Sequence, residues 1–200
     1  MGPLSWPFAP IRCILRNMSD ALAPGFLVAV PQLQDPNFKQ SVVLLLQHNE
    51  DGALGVVVNH ESPLLLKDLC ADHEIDYAGP TDKKVRRGGP VQQDQGLVIY
   101  GPEHHDPEGQ EITTGLHVSA SRETLGRLCT LTTGRFHCYS GYAGWGPDQL
   151  EDEIRLGSWL MAPIDPIVIL DMPTDEVWNR VMHSIGIDPA LLVPGGNAEA

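Results

Sequence analysis

A glycine-rich segment at residues 141–151 (GYAGWGPDQLE) has the residue types and spacing best suited to hold an anion. Its glycines reach conformations closed to other residues, and it leads into a helix predicted over residues 147–156. The free N–H groups at a helix start bind phosphate. The first turns of this helix carry four carboxylates, which already balance its positive end and would repel phosphate: Asp148, Glu151, Asp152 and Glu153. The pattern therefore favours a tight loop over residues 141–146, with Trp145 packed into the core and Asp148 serving the helix end.

A basic cluster precedes a second glycine corner, at residues 88–91 (GGPV). It holds four of the 13 Lys and Arg residues of the chain within five positions: Lys83, Lys84, Arg86 and Arg87. Because the chain has a net charge of −13, an anionic ligand or an acidic partner would be drawn to this cluster. Two alternatives are a solvated face and docking on the acidic helix start of a second copy, which would form a homo-oligomer.

The two glycine corners together define the predicted binding site. If they meet in the fold, they line a shared groove, whose residues we expect to be Asn59, Arg87, Gly88, Gly89, Trp145 and Gly146. Because these residues bring together no nucleophile and base, they favour a binding or regulatory module over an enzyme. Such a module would act through a protein or a small-molecule partner.

Histidine and serine residues supply the alternative, an enzyme. A hairpin is predicted from strands at residues 41–47 and 53–59, whose connector ends in Asp51-Gly52. Ser41 at its start could form a triad with His48 and Asp35. The chain has no nucleophile-elbow, P-loop or dinucleotide-binding motif. A hydrolase or transferase that uses His48 or Ser41 therefore stays the alternative, and no residue is assigned as catalytic.

The run His104-His105-Asp106 carries side chains that bind metals. Adjacent histidines point in different directions, and no second histidine follows at the helical spacing of four. The sequence therefore predicts no metal ion and no cofactor.

Length and charge exclude several classes of protein. The 200 residues, 42% of them apolar, suit one globular domain. A sequence pI near 4.8 disfavours direct binding to nucleic acid and to anionic lipid headgroups. The longest aliphatic run, residues 42–46, is far shorter than the roughly 20 apolar residues of a membrane span. We therefore expect a protein that does not bind membranes.

The two termini and the cysteines indicate how the chain is organised. Residues 1–17 lack the order of a secretory signal and are predicted to be an unstructured extension, ahead of a domain at residues 18–193 and a disordered tail at residues 194–200. The four cysteines, which are Cys13, Cys70, Cys129 and Cys138, form no CxxC pair. Cys129 and Cys138 could meet across a short connection, but reduced, buried thiols in the cytoplasm fit a chain of this size better.

Apolar runs and turn signals predict strands with helices placed irregularly between them. We expect strands at residues 26–30, 41–47, 53–59, 97–100, 116–118, 136–142, 159–161 and 167–170. Helices are expected at residues 64–70, 121–128 and 147–156, with a last one capped by Thr174 and ended by Gly186. Residues 71–87 and 101–110 are expected to be exposed loops. Because strict strand–helix alternation is missing, the pattern predicts an α+β fold with a mostly antiparallel sheet.

Several of these segments resemble the YqgE/AlgH family of bacterial proteins. The matching stretches are GFLVAVP at residues 25–31, Asp35 with Phe38, SVVL at 41–44, His48, GALGVVVN at 52–59, GGPV at 88–91, the run at 141–151, Trp159, Trp178 and IGID at 185–188. The resemblance implies one cytosolic α+β unit with a coiled antiparallel sheet surrounded by helices. The AlgH name also implies a role in regulating transcription, without a recognised DNA-binding module. This chain departs from the family pattern after Asn59, where HESP replaces a basic residue and proline, and at Gln95, where an arginine often stands.

Overall fold

The computed structural model describes residues 22–104, 106–132 and 134–192. The predicted extension and tail, together with Cys13 and His105, lie outside the described residues. Ten strands in this part of the chain are β1 (Gly25–Ala29), β2 (Val42–Asn49), β3 (Gly52–Val57), β4 (Glu61–Leu65), β5 (Lys84–Arg87), β6 (Val91–Tyr100), β7 (Gln110–Thr113), β8 (Leu116–Ser119), β9 (Phe136–Trp145) and β10 (Trp159–Ala162). Six helices are α1 (Leu66–Asp72), α2 (Arg122–Cys129), α3 (Gln149–Arg155), α4 (Pro166–Leu170), α5 (Thr174–Ser184) and α6 (Pro189–Leu192). None of these helices is long and apolar enough to cross a membrane.

The strands form one curled sheet that resembles half of a barrel. Eight strands follow the order β10-β1-β2-β3-β9-β6-β8-β7, while β5 lies beside β9 and β4 lies beside β5. Neighbouring strands are antiparallel, except that β5 runs parallel to β9. This architecture confirms the predicted α+β class with a mostly antiparallel sheet.

The hairpin of β2 and β3 is confirmed and lies in the middle of the core. Both faces of β2 are covered, because Leu44 belongs to one hydrophobic cluster and its neighbour Leu45 to another. Trp178 of α5 packs on the first cluster, and Trp159 lies in the second. Two covered faces explain why β2 is apolar at consecutive positions rather than at alternate ones.

Strand β9 connects the two parts of the sheet. One of its edges pairs with β6 over residues 136–142, and the other pairs first with β5 at Tyr139 and Ser140 and then with β3. The predicted loop at residues 141–146 is therefore wrong, because the strand continues to Trp145. Gly141, with a φ of 70°, lets the strand bend at this point without ending it.

Three further predictions are corrected by the structure. Residues 84–87 are a strand inside the segment expected to be an exposed loop, and Val85 is buried there. The helix expected at residues 64–70 is α1, which begins at Leu66 after the strand β4. Residues 167–170 form a helix instead of a strand, because the Asp165 carboxylate accepts a hydrogen bond from the Ile167 N–H and Pro166 occupies the first helical turn.

One capping prediction and one alternative for the cysteines are also corrected. Thr174 begins α5, but the cap position is Pro173 and no side chain caps the helix. Cys129 Sγ lies 3.3 Å from the sulfur of Cys70 rather than meeting Cys138. The predicted state of these three cysteines is confirmed, since each is buried and free.

Candidate functional site

The basic cluster at β5 is mostly neutralised or buried. Lys84 forms an ion pair with Glu61, with 2.7 Å between Nζ and Oε2. Arg86 is buried, and its guanidinium donates hydrogen bonds to the carbonyl oxygens of Val58 (2.9 Å) and Ile169 (3.0 Å). Lys83 places its ammonium 3.5 Å from the centre of the Phe136 ring, and burial lowers its pKa to about 8. The cluster is therefore neither a solvated face nor a continuous basic patch.

Arg87 differs from these neighbours. Its backbone N–H donates to the His60 carbonyl oxygen at 2.8 Å, which fixes the end of β5. Its half-buried guanidinium has no hydrogen bond or ion pair with any described residue, and it lines a cleft of about 530 Å³. Burial, followed by the charge of Arg87, lowers the pKa of His60. Arg87 therefore presents unused donors to the cleft, with a neutral imidazole favoured beside it.

The rest of the cleft combines apolar and polar groups. Strand β4 forms one wall with Glu61, Ser62, Pro63, Leu64 and Leu65, and Asp68 of α1 extends that wall. Gln93 of β6 and Ser140 of β9 also line the cleft, where they carry an amide and a hydroxyl. A volume of this size is typical of small-ligand pockets.

The glycine corner holds this cleft against β9. The Gly88 N–H donates to the Ser140 carbonyl oxygen at 2.8 Å, and the Gly88 carbonyl accepts from the Val57 N–H at 2.8 Å. A Cβ on Gly88 would lie 2.3 Å from the Gly141 carbonyl oxygen, and a Cβ on Gly89 would lie 2.1 Å from the Tyr142 carbonyl carbon. The two glycine-containing segments therefore touch through their backbones, and side chains would separate them.

Trp145 lies in the core, as predicted. Its ring stacks on Phe38 at 6.2 Å between centroids and meets Trp159 edge to face at 5.9 Å. The indole N–H groups of Trp145 and Trp159 both donate to Glu153 Oε2, at 3.0 and 2.7 Å. The N-terminus of α3 differs from the prediction, because the Asp148 side chain does not cap it. Gln149 Oε1 instead accepts a hydrogen bond from the Gly146 N–H at 3.1 Å.

The structure places the six predicted site residues in different environments. Arg87 lines the cleft beside β4, whereas Trp145 lines a second cavity of about 370 Å³ together with Val91 and Tyr142. Asn59 is buried, where its Oδ1 accepts from the Val42 N–H (2.8 Å) and its amide donates to the Gln40 carbonyl oxygen (2.9 Å). Gly88, Gly89 and Gly146 contribute backbone. Both cavities take residues from the start of β6 and from residues 140–144 of β9.

Some cleft residues were not predicted from the sequence. Ser140 directly precedes the glycine-rich segment, and Gln93 is the second residue after the GGPV corner, so their positions near these motifs are a usable signal. Glu61 and Asp68 carried no such signal, because strand β4 and helix α1 approach β5 only through tertiary pairing.

The residues of the enzyme alternative lie apart. Ser41 directly precedes β2 and His48 lies near the far end of that strand, about 23 Å away at the ordinary rise per residue, so they cannot form one triad. His48 Nε2 instead lies 2.6 Å from Glu151 Oε1. Hydrogen bonds from its own backbone N–H and from His48 lower the pKa of Glu151. No group of three metal-binding side chains occurs among the described residues, which include His104 and Asp106.

Comparison with known proteins places this geometry in a family. The family model DUF179, described as AlgH-like, matches residues 26–190. The chain belongs to the AlgH-like family. A UPF0301 protein of Myxococcus xanthus is 42% identical over 178 residues, covering 87% of this chain and 96% of the relative. A UPF0301 protein of Vibrio cholerae is 34% identical over 178 residues, covering 86% and 95%.

Solved structures share the AlgH-like fold. The solution structure of the AlgH protein from Pseudomonas aeruginosa matches with a TM-score of 0.70 and 32% identity, covering 91% of this chain and 100% of that one. A crystal structure of protein DIP2367 from Corynebacterium diphtheriae matches with a TM-score of 0.72 over 92% and 98% of the two chains. At 22% identity, the second match shows the fold alone. The AlgH-like fold therefore confirms the family resemblance of the sequence.

Proposed function

We propose that this AlgH-like protein is a binding module whose Arg87 cleft holds the carboxylate of a ligand. The supporting observation is the half-buried Arg87 guanidinium, which lines the cleft without an acceptor among the described residues. A guanidinium matches a carboxylate with two parallel N–H···O bonds. The other described cations of β5 already have acceptors, because Lys84 is paired with Glu61 and Arg86 donates hydrogen bonds to backbone carbonyls.

Groups around Arg87 bear on the choice of ligand: Lys84 balances the charge of Glu61, whereas Asp68 adds a carboxylate to the cleft. Ser140 and Gln93 can donate further hydrogen bonds to an oxygen held by Arg87. Leu64 and Leu65 offer apolar surface for a short aliphatic part of the ligand. We therefore propose a carboxylate attached to an apolar group, carried either by a small molecule or by an acidic residue of a partner protein.

The cleft supports binding better than a reaction. None of the nine residues that line it is a histidine or a cysteine, so the Ser140 hydroxyl has no imidazole base among them. A regulatory role would then pass through the bound partner. The net charge of −13 supports a protein or small-molecule partner over direct contact with DNA. We also propose a cytoplasmic location, since Cys70, Cys129 and Cys138 are free thiols.

Titration calorimetry on the full chain tests this function with two probes. Hexanoate represents a small carboxylate, and an amidated tetrapeptide with one glutamate represents a protein side chain. A charged hydrogen bond contributes about 1.5–3 kcal/mol, so Arg87→Gln should weaken binding of the true ligand class by about ten- to a hundredfold. Arg87→Lys should bind with intermediate affinity, because lysine keeps the charge and loses the planar fork.

Two controls make the experiment decisive. Arg155→Gln removes an exposed cation of α3 that does not line the cleft, so it should leave affinity within about twofold. Methyl hexanoate keeps the apolar part and removes the carboxylate, so it should not compete. The proposal fails if neither probe binds at millimolar concentration, if the ester binds as well as the acid, or if folded Arg87→Gln binds like the wild type.

A further inference from the structure

Two buried cysteines from different helices lie in contact. Cys70 Sγ of α1 and Cys129 Sγ of α2 are 3.3 Å apart, although the two residues are 59 positions apart in the chain. Both side chains are fully buried in a cluster that also contains Cys138. A disulfide bond is about 2.05 Å long, so the sulfurs need to approach by only about 1.2 Å to form one.

The surroundings of the pair favour reaction at Cys70. A hydrogen bond from the Cys129 thiol lowers the pKa of Cys70, while the same bond and burial raise the pKa of Cys129. Burial raises the pKa of the third cysteine, Cys138, to about 12. Because a thiolate is the attacking form of cysteine, the order of reactivity should be Cys70 before Cys129 and Cys138.

Both cysteines lie where their helices end. Cys129 is the last residue of α2, and Cys70 lies in the last turn of α1. The segment that follows α1 bonds to both, because the Ile75 N–H donates to the Cys70 carbonyl and the Ala78 N–H donates to the Cys129 carbonyl, each at 2.8 Å. Helix ends and the segments on them open most readily, which gives a small oxidant access to the buried sulfurs.

We propose that Cys70 and Cys129 are a peroxide-oxidised dithiol that forms a reversible disulfide between α1 and α2. In the first step the Cys70 sulfur attacks one oxygen of hydrogen peroxide and the O–O bond breaks. The leaving hydroxide takes the Cys70 proton as water, and Cys70 becomes a sulfenic acid. In the second step the Cys129 sulfur attacks the Cys70 sulfur, the S–O bond breaks, and the hydroxide leaves as water with the Cys129 proton.

In total, the two thiols lose two electrons and one hydrogen peroxide is reduced to two waters. A dithiol reductant reverses it by thiol–disulfide exchange. This proposal does not depend on what the Arg87 cleft binds.

Peptide mass spectrometry of the wild-type chain tests the proposal directly. The protein is exposed to hydrogen peroxide, alkylated after unfolding, and digested without reductant. We expect one disulfide-linked pair of peptides containing Cys70 and Cys129, lost after dithiothreitol. A disulfide that joins Cys138 to either residue would overturn the proposal, as would full alkylation of Cys70 and Cys129 under conditions that oxidise free cysteine.

Variants separate the two steps. Cys129→Ser should accumulate a Cys70 sulfenic acid that dimedone traps, whereas Cys70→Ser should give neither the adduct nor the disulfide. Cys138→Ser and Cys13→Ser are the matched controls and should form the Cys70–Cys129 disulfide as the wild type does. Because a buried serine can itself prevent folding, the wild-type peptide map decides the outcome whether or not each variant folds.

Discussion

Gly89 packs so closely on Tyr142 that a Cβ at position 89 would lie 2.1 Å from the Tyr142 carbonyl carbon. This contact joins the corner between β5 and β6 to the middle of β9. It places Arg87 beside Ser140 at one cavity and Val91 beside Tyr142 at the other. The position of the proposed carboxylate cleft therefore depends on a backbone approach that any side chain would prevent.

Gly89→Ala should destabilise the fold strongly. The added methyl group meets backbone atoms of Tyr142 and Ala143, which cannot move aside as a flexible side chain could. We expect a loss of about 3 kcal/mol in the free energy of unfolding, measured by urea denaturation. Gly126→Ala is the matched control, because a Cβ there meets nothing within 4 Å. Since Gly126 lies inside α2, alanine at this position should raise the free energy of unfolding of the protein by up to about 1 kcal/mol. Equal stabilities of the two variants would contradict this packing.

Glu153→Ala should also be costly, because one carboxylate oxygen accepts both buried indole N–H groups. Its removal leaves Trp145 and Trp159 unpartnered, which we expect to cost about 2–4 kcal/mol in the free energy of unfolding. The control is Asp152→Ala on the same helix, where the exposed ion pair with Arg155 contributes less than about 1 kcal/mol. Tryptophan fluorescence should shift in the first variant only. A Glu153→Ala chain as stable as Asp152→Ala would disprove the double-acceptor role.

His137 should make the protein less stable in mild acid. Burial, followed by the charge of Arg86, lowers the pKa of His137 to about 3. Unfolded histidine titrates near pH 6.5, so below that pH the unfolded chain takes up a proton that the folded chain refuses. This contribution to stability is complete above about pH 6.5 and is lost as the pH falls toward 3.

The size of the effect follows from the same linkage. Each pH unit in this window costs about 1.4 kcal/mol, so His137 should cost about 2 kcal/mol between about pH 6.5 and pH 5. His137→Gln keeps a donor for the Leu170 carbonyl, which His137 Nε2 contacts at 3.0 Å, and should remove this part of the pH dependence. His60, whose pKa is also lowered, contributes equally to wild type and variant. The exposed control His183→Asn should keep the wild-type slope, and an unchanged slope in His137→Gln would refute the assignment.

The sequence was sufficient where the signal was local. Consecutive apolar residues and the Asp51-Gly52 turn predict the β2–β3 hairpin, and Gly186 predicts the end of α5. Helix α4 was mistaken for a strand because its β-branched residues outweighed a local signal, the Asp165-Pro166 start.

The site depended on contacts that no local pattern encodes. Strand β5 looked like a solvated charge run, yet Arg86 is buried because carbonyl oxygens from residues 58 and 169 accept its hydrogen bonds. The approach of the two glycine corners was inferable from residue types. The sequence does not predict that the two corners line separate cavities, because this follows from how β9 changes partners from β5 to β3.

The measurement closest to the central claim is the side-chain NMR signal of Arg87 during titration with hexanoate. We predict that the Arg87 Nε–Hε cross-peak and the Ser140 amide cross-peak shift and saturate together, while the side-chain cross-peak of Arg155 on α3 does not shift. Saturable shifts around Trp145 with an unmoved Arg87 signal would contradict ligand binding at Arg87 and place the ligand at the second cavity.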